Sequence, residues 1–297
     1  MKKLAFALVL ISGAAAGQQN FDTVRIRPIK IKENIYMLKG LGGNIGLLTG
    51  KEGNLVIDDQ YAPLSDKIKA SINSLDTNPI RFLINTHIHG DHTGGNENFQ
   101  KSGVTILAQE HVRERMMKEQ VNPRLNRTTP PRDPAAWPLI TFENGIRIHL
   151  NDEDIDVFHY KETSHTDGDA IIHFIKADVF HTGDVFVRYG YPFIDYSSGG
   201  SVNGFIIVLD KLLPLLNDKS VIIPGHGELA TKSDVKVFRD KLADIRDQVA
   251  AALKKGKKPE EIPALGITDK YDAEWGKGFL KGKDFVLMIA EELKGAK

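Results

Sequence analysis

Six consecutive residues, His87-Ile88-His89-Gly90-Asp91-His92, constrain the fold and chemistry of this chain more than any other feature. They follow a short apolar run at residues 80–85 that predicts a buried strand. Chance would assemble this pattern on the order of once in a thousand sequences with the same content of His and Asp. Imidazole and carboxylate groups crowded at a strand end would compete for protons unless they shared a metal. The stretch therefore predicts a metal site.

The composition limits both the ligands and the partners. The 297 residues include no Cys, so the fold uses no disulfides and any metal must bind through nitrogen and oxygen. Lys and Arg together number 39, equal to Asp and Glu, so the chain has no excess positive charge for a nucleic-acid backbone. We therefore expect a small-molecule substrate and neither a nucleic-acid nor a membrane partner.

The first residues have the pattern of an export signal. Lys2 and Lys3 precede an apolar run at residues 4–11, and three alanines at 14–16 supply a small-residue cleavage site. The run is too short to span a bilayer. We predict a signal peptide over residues 1–17, a single domain over residues 18–297, and a periplasmic or secreted protein. The alternative is an N-terminal helix of the mature domain.

Hydrophobic periodicity predicts an alternation of strands and helices in two β-rich halves. The predicted strands are 35–38, 45–48, 54–58, 80–85, 104–108, 146–150, 155–160, 170–175, 179–182 and 221–224. The predicted helices are 64–75, 110–119, 201–216 and 233–254. The segment 122–138, rich in Pro, Arg, Asn and Thr, is predicted to be a long loop, either a lid or a plain surface connection. Two such halves with covering helices favour a layered α/β fold.

The stretch from His87 to His92 resembles the His-x-His-x-Asp-His motif of the metallo-β-lactamase superfamily. Three later residues occur in the order and context of that family: His165 in Thr-Ser-His-Thr-Asp-Gly-Asp, Asp184 in His-Thr-Gly-Asp, and His226 in Pro-Gly-His-Gly. The resemblance covers most of the mature chain. It implies a four-layer αββα sandwich.

The resemblance also implies two metal positions. It assigns the first metal to His87, His89 and His165. It assigns the second to Asp91, His92 and His226, with Asp184 bridging the metals or completing the second set. Two zinc ions, with iron as the alternative metal, would lower the pKa of a shared water, so that hydroxide forms at physiological pH and attacks a carbonyl. Asp91 would also be catalytic, because it can orient this hydroxide and pass a proton to the leaving group.

Asp184 separates this chain from the β-lactamases of the first two subclasses, which carry Cys at that position. With an acid at this position, the ligand set resembles that of glyoxalase II-like thioesterases and lactonases. The export signal and the segment 42–60 resemble exported proteins near the first two subclasses. Val187 stands where the first subclass commonly has a Lys that binds the substrate carboxylate. The neighbouring Arg188 could bind such a carboxylate instead, but a place on the surface is the favoured interpretation. We therefore expect β-lactam hydrolysis to be weak.

The function implied is zinc-dependent hydrolysis of a carbonyl substrate, such as a β-lactam-like compound, a lactone or an ester. Two alternatives stay open. One is an iron-dependent oxidoreductase of the same fold, similar to persulfide dioxygenases, and the other is a non-catalytic metal-binding protein.

Other features receive local interpretations. Asp58 and Asp59 are predicted to brace the metal loop through hydrogen bonds. The Gly-rich hairpin at 40–46 is interpreted equally as a flexible flap over the substrate or as a plain turn. Histidines without companions at ligand spacing are interpreted as structural: His111, His149, His159, His173 and His181.

Overall fold

The computed structural model describes residues 20–295. The predicted signal peptide over residues 1–17 lies outside that part of the chain. Within residues 20–295, no helix combines the length and the apolar character needed to cross a bilayer.

The first sheet has seven strands and is built mainly by the N-terminal half. Its strands are β1 (Arg27–Lys30), β2 (Ile35–Lys39), β3 (Ile45–Leu48), β4 (Asn54–Ile57), β5 (Ile80–Ile84), β6 (Thr105–Gln109) and β9 (Ile140–Phe142). The strands lie in chain order. The β1 to β4 neighbours are antiparallel, whereas β4, β5, β6 and β9 are parallel. A separate two-stranded hairpin pairs β7 (Gln120–Asn122) with β8 (Arg127–Thr129).

The second sheet has five strands, again in chain order. They are β10 (Gly145–Leu150), β11 (Glu153–Phe158), β12 (Ile171–Phe174), β13 (Val179–His181) and β14 (Val221–Ile223). The first four are antiparallel neighbours, and β14 runs parallel to β13.

Eight α-helices complete the described part of the chain. They are α1 (Ser65–Leu75), α2 (Gly90–Thr93), α3 (Asn96–Gln100), α4 (Glu110–Met116), α5 (Val202–Leu212), α6 (Lys232–Lys254), α7 (Asp269–Trp275) and α8 (Gly282–Gly295). The Thr231 side chain caps α6 by accepting a hydrogen bond from the Asp234 backbone N–H, and the Asp234 carboxylate accepts one from the Thr231 backbone N–H.

Three apolar clusters give the fold its four layers. One joins the two sheets face to face, and β2 contributes Ile35 and Met37 to it. The next residue, Leu38, points the other way into a cluster that α1 covers on the outer face of the first sheet. A third cluster packs α5, α6 and α8 against the outer face of the second sheet. Successive side chains of β2 alternate between the two faces of the sheet, as expected for a sheet that is buried on both sides. The resulting four layers confirm the predicted αββα sandwich.

The predicted elements agree with the observed ones except in a few places. The expected loop at 122–138 is wrong in part, because β7 and β8 form a hairpin at its beginning and a 3-10 turn lies at Pro134–Ala136. The helix predicted to reach residue 119 ends at Met116, and the helix predicted to reach 216 ends at Leu212. Pro214, without a backbone N–H, lies in the 3-10 turn that follows α5. The pattern did not predict β1, β9, α7 or α8.

Candidate metal centre

The segments that carry the predicted ligands leave the two sheets at strand ends. The His-rich turn follows β5, and the segment with Asp58 follows the parallel neighbour β4. In the second sheet, His226 follows β14 and Asp184 follows the parallel strand β13. His165 follows β11, which is separated from β13 by one antiparallel strand and therefore ends at the same edge. The topology brings all seven predicted residues together.

Three imidazoles form the first group. The ligand atoms of His87, His89 and His165 all lie within 4.8 Å of one another. Nε2 of His165 lies 2.8 Å from Nδ1 of His89. A neutral imidazole has only one N–H to donate, so its other ring nitrogen carries a lone pair. Several lone pairs directed at one another suit a shared cation.

The second group contains one carboxylate and two imidazoles. The ligand atoms of Asp91, His92 and His226 also lie within 4.8 Å of one another. Nε2 of His226 is 3.2 Å from Nε2 of His92 and 3.2 Å from Oδ2 of Asp91. Burial alone would raise the pKa of Asp91, but the charges of His92 and His226 outweigh it and hold this pKa below its usual range.

Asp184 lies between the two groups. Its Oδ1 is 3.3 Å from Nε2 of His92 and 3.5 Å from Nε2 of His226, and its Oδ2 is 3.6 Å from Nε2 of His165. It also forms a third compatible triad with His87 and His92. Burial would raise the pKa of Asp184, but the charges of His226 and His92 lower it well below its usual value. A carboxylate in this position can contact both metal positions.

Two orphaned atoms show that the cluster fits metal ions. Nε2 of His87 and Oδ1 of Asp184 are buried, and neither has a hydrogen-bond partner among the described residues. A buried polar atom without a partner is unfavourable. A divalent cation bound by nitrogen and oxygen would satisfy both atoms.

Hydrogen bonds from outside the cluster fix the orientation of four rings. Nδ1 of His165 lies 2.6 Å from the carbonyl oxygen of Phe193, and Nε2 of His89 lies 2.8 Å from Oδ2 of Asp195. Nδ1 of His92 lies 2.7 Å from Oδ2 of Asp58. Nδ1 of His87 lies 3.0 Å from the hydroxyl of Thr86. Each contact leaves the other nitrogen facing the cluster, which is how proteins orient metal-binding histidines. The set of outer partners is Thr86, Asp58, Phe193 and Asp195.

The predicted bracing by Asp58 and Asp59 is confirmed. Oδ1 of Asp58 accepts a hydrogen bond from the Thr86 backbone at 2.8 Å, in addition to its contact with His92. Oδ1 of Asp59 accepts from the Gly95 backbone at 2.8 Å. Asp58 has a φ of 62°, a left-handed conformation that is uncommon outside Gly, so β4 ends abruptly where the brace is needed.

The Gly-rich hairpin is a support for the site, so the flap interpretation is wrong. A Cβ placed on Gly43 would lie 2.2 Å from Cε1 of His92, so the bare backbone packs directly against this ring. The side chain of Asn44 donates to the carbonyls of Pro224 and Gly227, at 2.8 and 2.9 Å. No residue of 40–46 lines the main cleft described next.

A cleft of about 920 Å³ borders the cluster. At its base it exposes five of the predicted ligands: His89, Asp91, His165, Asp184 and His226. Its walls are largely apolar and aromatic and include Phe21, Tyr61, Leu125, Phe193 and Phe279. Two cationic side chains, Arg127 and Arg132, also line it. The segments 122–138 and 188–200 therefore both contribute to the cleft.

The remaining predicted residues lie elsewhere. Arg188 donates to the carbonyl of Leu229 at 2.5 Å and lies 3.5 Å from Asp234, and it does not line the cleft. Of the histidines interpreted as structural, His181 lies 3.0 Å from the carbonyl of Asn44. The others contact backbone or carboxylate groups outside the cluster: His111, His149, His159 and His173.

Asp195 and Tyr189 were not predicted. Both lie between β13 and α5, a region without regular periodicity, so no local sequence signal pointed to them. The Tyr189 ring packs edge-on against His226, with ring centroids 5.3 Å apart. Its hydroxyl accepts a hydrogen bond from the Phe193 backbone at 3.2 Å. Burial and the charge of Asp184 raise the pKa of Tyr189 far above its usual value.

Comparisons with known proteins agree with this architecture. The family model described as the metallo-β-lactamase superfamily matches residues 38–226. Among curated proteins, an acyl-coenzyme A thioesterase, MBLAC2 of Gallus gallus, is 26% identical over 216 residues, which cover 66% of this chain and 76% of the relative. MBLAC2 of Homo sapiens is 25% identical over 218 residues, with the same coverage.

Solved structures show the same fold at low sequence identity. A metallo-β-lactamase from Pontibacter korlensis aligns with a TM-score of 0.59 at 15% identity, covering 74% of this chain and all of the other. The DIM-1 metallo-β-lactamase aligns with a TM-score of 0.59 at 16% identity, covering 74% of this chain and 98% of the other. Because the family model matches more than half of the chain, the chain belongs to the metallo-β-lactamase superfamily, and it is a hydrolase.

Proposed function

We propose that this protein is a zinc-dependent hydrolase with two metal positions that cleaves an ester, thioester, lactone or β-lactam-like carbonyl substrate. The observation that carries the proposal is the position of Asp184, whose two oxygens lie 3.3–3.6 Å from ring nitrogens of both ligand groups. Thioesters are tested first, because the curated relatives are named acyl-coenzyme A thioesterases.

His87, His89 and His165 would hold one ion, and Asp91, His92 and His226 the other, with Asp184 between them. When bound, such ions lower the pKa of a water molecule and polarise a carbonyl oxygen. Nitrogen and oxygen donors without thiolate suit zinc, and they suit iron as well. The test of this proposal therefore includes a measurement of which metal the isolated protein contains.

Asp91 is the proposed catalytic carboxylate. It lines the cleft, and its low pKa keeps it ionised, so it can accept a hydrogen bond from the attacking water and orient it. Tyr189 lines the same cleft and keeps its proton because its pKa is raised. Its hydroxyl can therefore donate a hydrogen bond to an oxygen that gains negative charge.

The test is a hydrolysis panel with the purified, zinc-loaded protein. The panel contains an acyl thioester, an aryl ester, a lactone and a cephalosporin. We expect turnover of at least one non-lactam substrate, weak turnover of the cephalosporin, and loss of activity in Asp91→Asn. The matched control is Asp154→Asn, whose carboxylate pairs with His149 at the surface.

Two results would overturn the proposal. One is the absence of turnover on the whole panel by protein that holds two zinc ions per chain. The other is iron in protein as isolated, together with oxygen consumption, which would favour an oxidoreductase of the same fold.

A further inference from the structure

Two arginines on one wall of the cleft have no role in the metal cluster. Arg127 begins β8, and Arg132 follows the hairpin; both line the cleft. A terminal guanidinium nitrogen of Arg132 lies 3.3 Å from the position that a Cβ on Gly90 would take. Because Gly90 stands between His89 and Asp91, this positive charge lies directly beside the candidate metal centre.

The backbone of Arg132 is fixed by hydrogen bonds, whereas its guanidinium group is not. Its N–H donates to the carbonyl of Met116 at 2.8 Å, and its carbonyl accepts from Nε1 of Trp137 at 3.1 Å. Within residues 20–295, the guanidinium groups of Arg127 and Arg132 make no hydrogen bond or ion pair.

Neighbouring arginines on helix α4 are satisfied by contrast. Arg113 donates to the carbonyl of Pro138 at 2.6 Å. Arg115 makes a bidentate pair with Asp167, at 2.7 and 2.5 Å. The fold therefore pairs its arginines close to the cleft and leaves unpaired the two that face into it.

The surroundings make an unpaired charge unfavourable. Burial lowers the pKa of Arg132; the negative charge of Asp59 opposes this shift, and the like charge of Arg127 adds to it. The carboxylates that line the cleft are committed elsewhere: Asp91 and Asp184 belong to the cluster, and Asp133 accepts a hydrogen bond from the Ala135 backbone at 2.8 Å. None of these carboxylates forms a hydrogen bond or ion pair with either arginine, so two guanidinium groups that line the cleft are stabilised when an anion binds between them.

We propose that Arg132, assisted by Arg127, binds an anionic oxygen group of the substrate, either a carboxylate or a phosphate. This inference rests on the proposed hydrolytic function and names the substrate class: a carbonyl compound that carries such a group on the side of the scissile bond nearest Gly90. The planar guanidinium matches either anion with paired hydrogen bonds. The apolar walls leave room for an uncharged remainder.

The test compares matched substrates that differ by one anionic group. Glutaryl and pentanoyl thioesters of N-acetylcysteamine differ by a carboxylate, and the acetyl thioesters of phosphopantetheine and pantetheine differ by a phosphate. We expect the wild type to prefer the anionic member of one pair by about 10- to 100-fold in kcat/KM. The pair that shows the preference identifies the anion.

Arg132→Ala should abolish that preference through KM, so that kcat/KM falls much more for the anionic member of the pair than for the neutral member. Arg132→Lys should retain part of the preference, because it keeps the charge without the planar fork. Arg127→Ala should weaken the preference less. The control is Arg147→Ala, whose side chain pairs with Asp156 on the second sheet, away from the cleft.

The outcomes separate this inference from the function on which it rests. If the wild type hydrolyses neutral members without preference in either pair, or if Arg132→Ala slows both members equally, the inference is overturned and the hydrolase stands. If the wild type hydrolyses none of these thioesters, anion binding is tested separately by titrating the protein with glutarate and with inorganic phosphate. Binding lost in Arg132→Ala supports it, and binding equal in both proteins overturns it.

Discussion

Oδ2 of Asp195 lies 2.8 Å from Nε2 of His89, and this contact leaves Nδ1 of the ring facing the candidate metal centre. The other oxygen of Asp195 accepts a hydrogen bond from the side chain of Asn122, at 3.0 Å. Asn122 belongs to the hairpin of β7 and β8. The orientation of His89 is therefore set by a residue 106 positions later in the chain and is connected to the cleft wall.

Replacing Asp195 by Asn should weaken metal binding. An amide can donate as well as accept, so it no longer fixes the tautomer of His89. Loss of such an outer partner lowers metal affinity by about 10- to 100-fold. Competition with a chromogenic zinc chelator measures the change. Asp154→Asn is the control, and equal affinities in the two variants would contradict the assigned role of Asp195.

Gly43→Ala should disturb the second ligand group. A methyl group there would meet the His92 ring at 2.2 Å, so either the ring or the hairpin must move. Overpacking of this kind lowers the free energy of unfolding by about 1–3 kcal/mol. Urea denaturation and metal analysis measure both effects. Gly295→Ala, with no heavy atom within 4 Å of its new methyl group, is the control and should match wild type.

Asp184→Asn should reduce zinc binding and lower kcat/KM by at least about 100-fold, because the amide keeps the shape but loses the charge that faces both groups. Asp184→Cys restores an anionic ligand and should recover metal binding. We expect Asp184→Cys to remain a poor β-lactamase, since the residues on the cleft walls are unchanged. A large gain in cephalosporin turnover would instead identify residue 184 as the barrier.

The stability of the protein should fall in mild acid through His181. Burial lowers the pKa of His181 below its ordinary value of 6.5. Both ring nitrogens are satisfied in the neutral form, since Nε2 faces the Asn44 carbonyl and Nδ1 accepts from the Gly183 backbone at 3.2 Å. A second ring proton would be directed at that N–H. The unfolded chain therefore binds the proton more readily.

Because the pKa of His181 is lower in the folded chain than in the unfolded chain, its contribution to the free energy of unfolding is complete above pH 6.5. That contribution is lost as the pH falls below 6.5. Below that pH, the free energy of unfolding should fall by up to about 1.4 kcal/mol per pH unit more in wild type than in His181→Gln. Urea titrations between pH 5 and 8 measure the slopes. The control is Gly295→Ala, which changes no titratable group and should keep the wild-type slope. Identical slopes in His181→Gln and wild type would refute the prediction.

The protein should be exported and cleaved near residue 17. We expect mature protein in the periplasm or medium to begin at Gly17 or Gln18. Leu8→Asp, which interrupts the apolar run, should retain the uncleaved chain in the cytoplasm. Fractionation and N-terminal sequencing measure both outcomes, with Gln19→Ala as the control. An intact N-terminus in the secreted fraction would argue against a cleaved signal.

Sequence patterns pointed to the seven residues that the structure brings together, because each one follows a strand whose apolar run is easy to identify. His87 follows β5 and Asp184 follows β13, and family context supplied the pairing between them. Asp195 could not be predicted, because its partner His89 is remote in sequence and no local pattern surrounds it. The same holds for Arg132, because the absence of a hydrogen bond to its guanidinium group, within residues 20–295, is visible only in the folded chain.

The errors in secondary structure have local causes. Strands β7 and β8 have three residues each, too short for alternation to emerge from a segment with Pro and Asn. For the 40–46 hairpin, the sequence left a flexible flap and a plain turn equally open. Gly43 is instead required because the His92 ring occupies the space of a side chain.

The carboxamide of Asn44 holds two carbonyls that lie 180 and 183 positions further along the chain. During synthesis, the His-rich turn emerges long before the Pro-Gly-His segment that completes its surroundings. Contacts of such high sequence separation form late, after the loop between them has closed. The centre should therefore reach full metal affinity only when both sheets have docked. Metal bound there would stabilise the folded chain against unfolding, because it binds residues of both sheets at once.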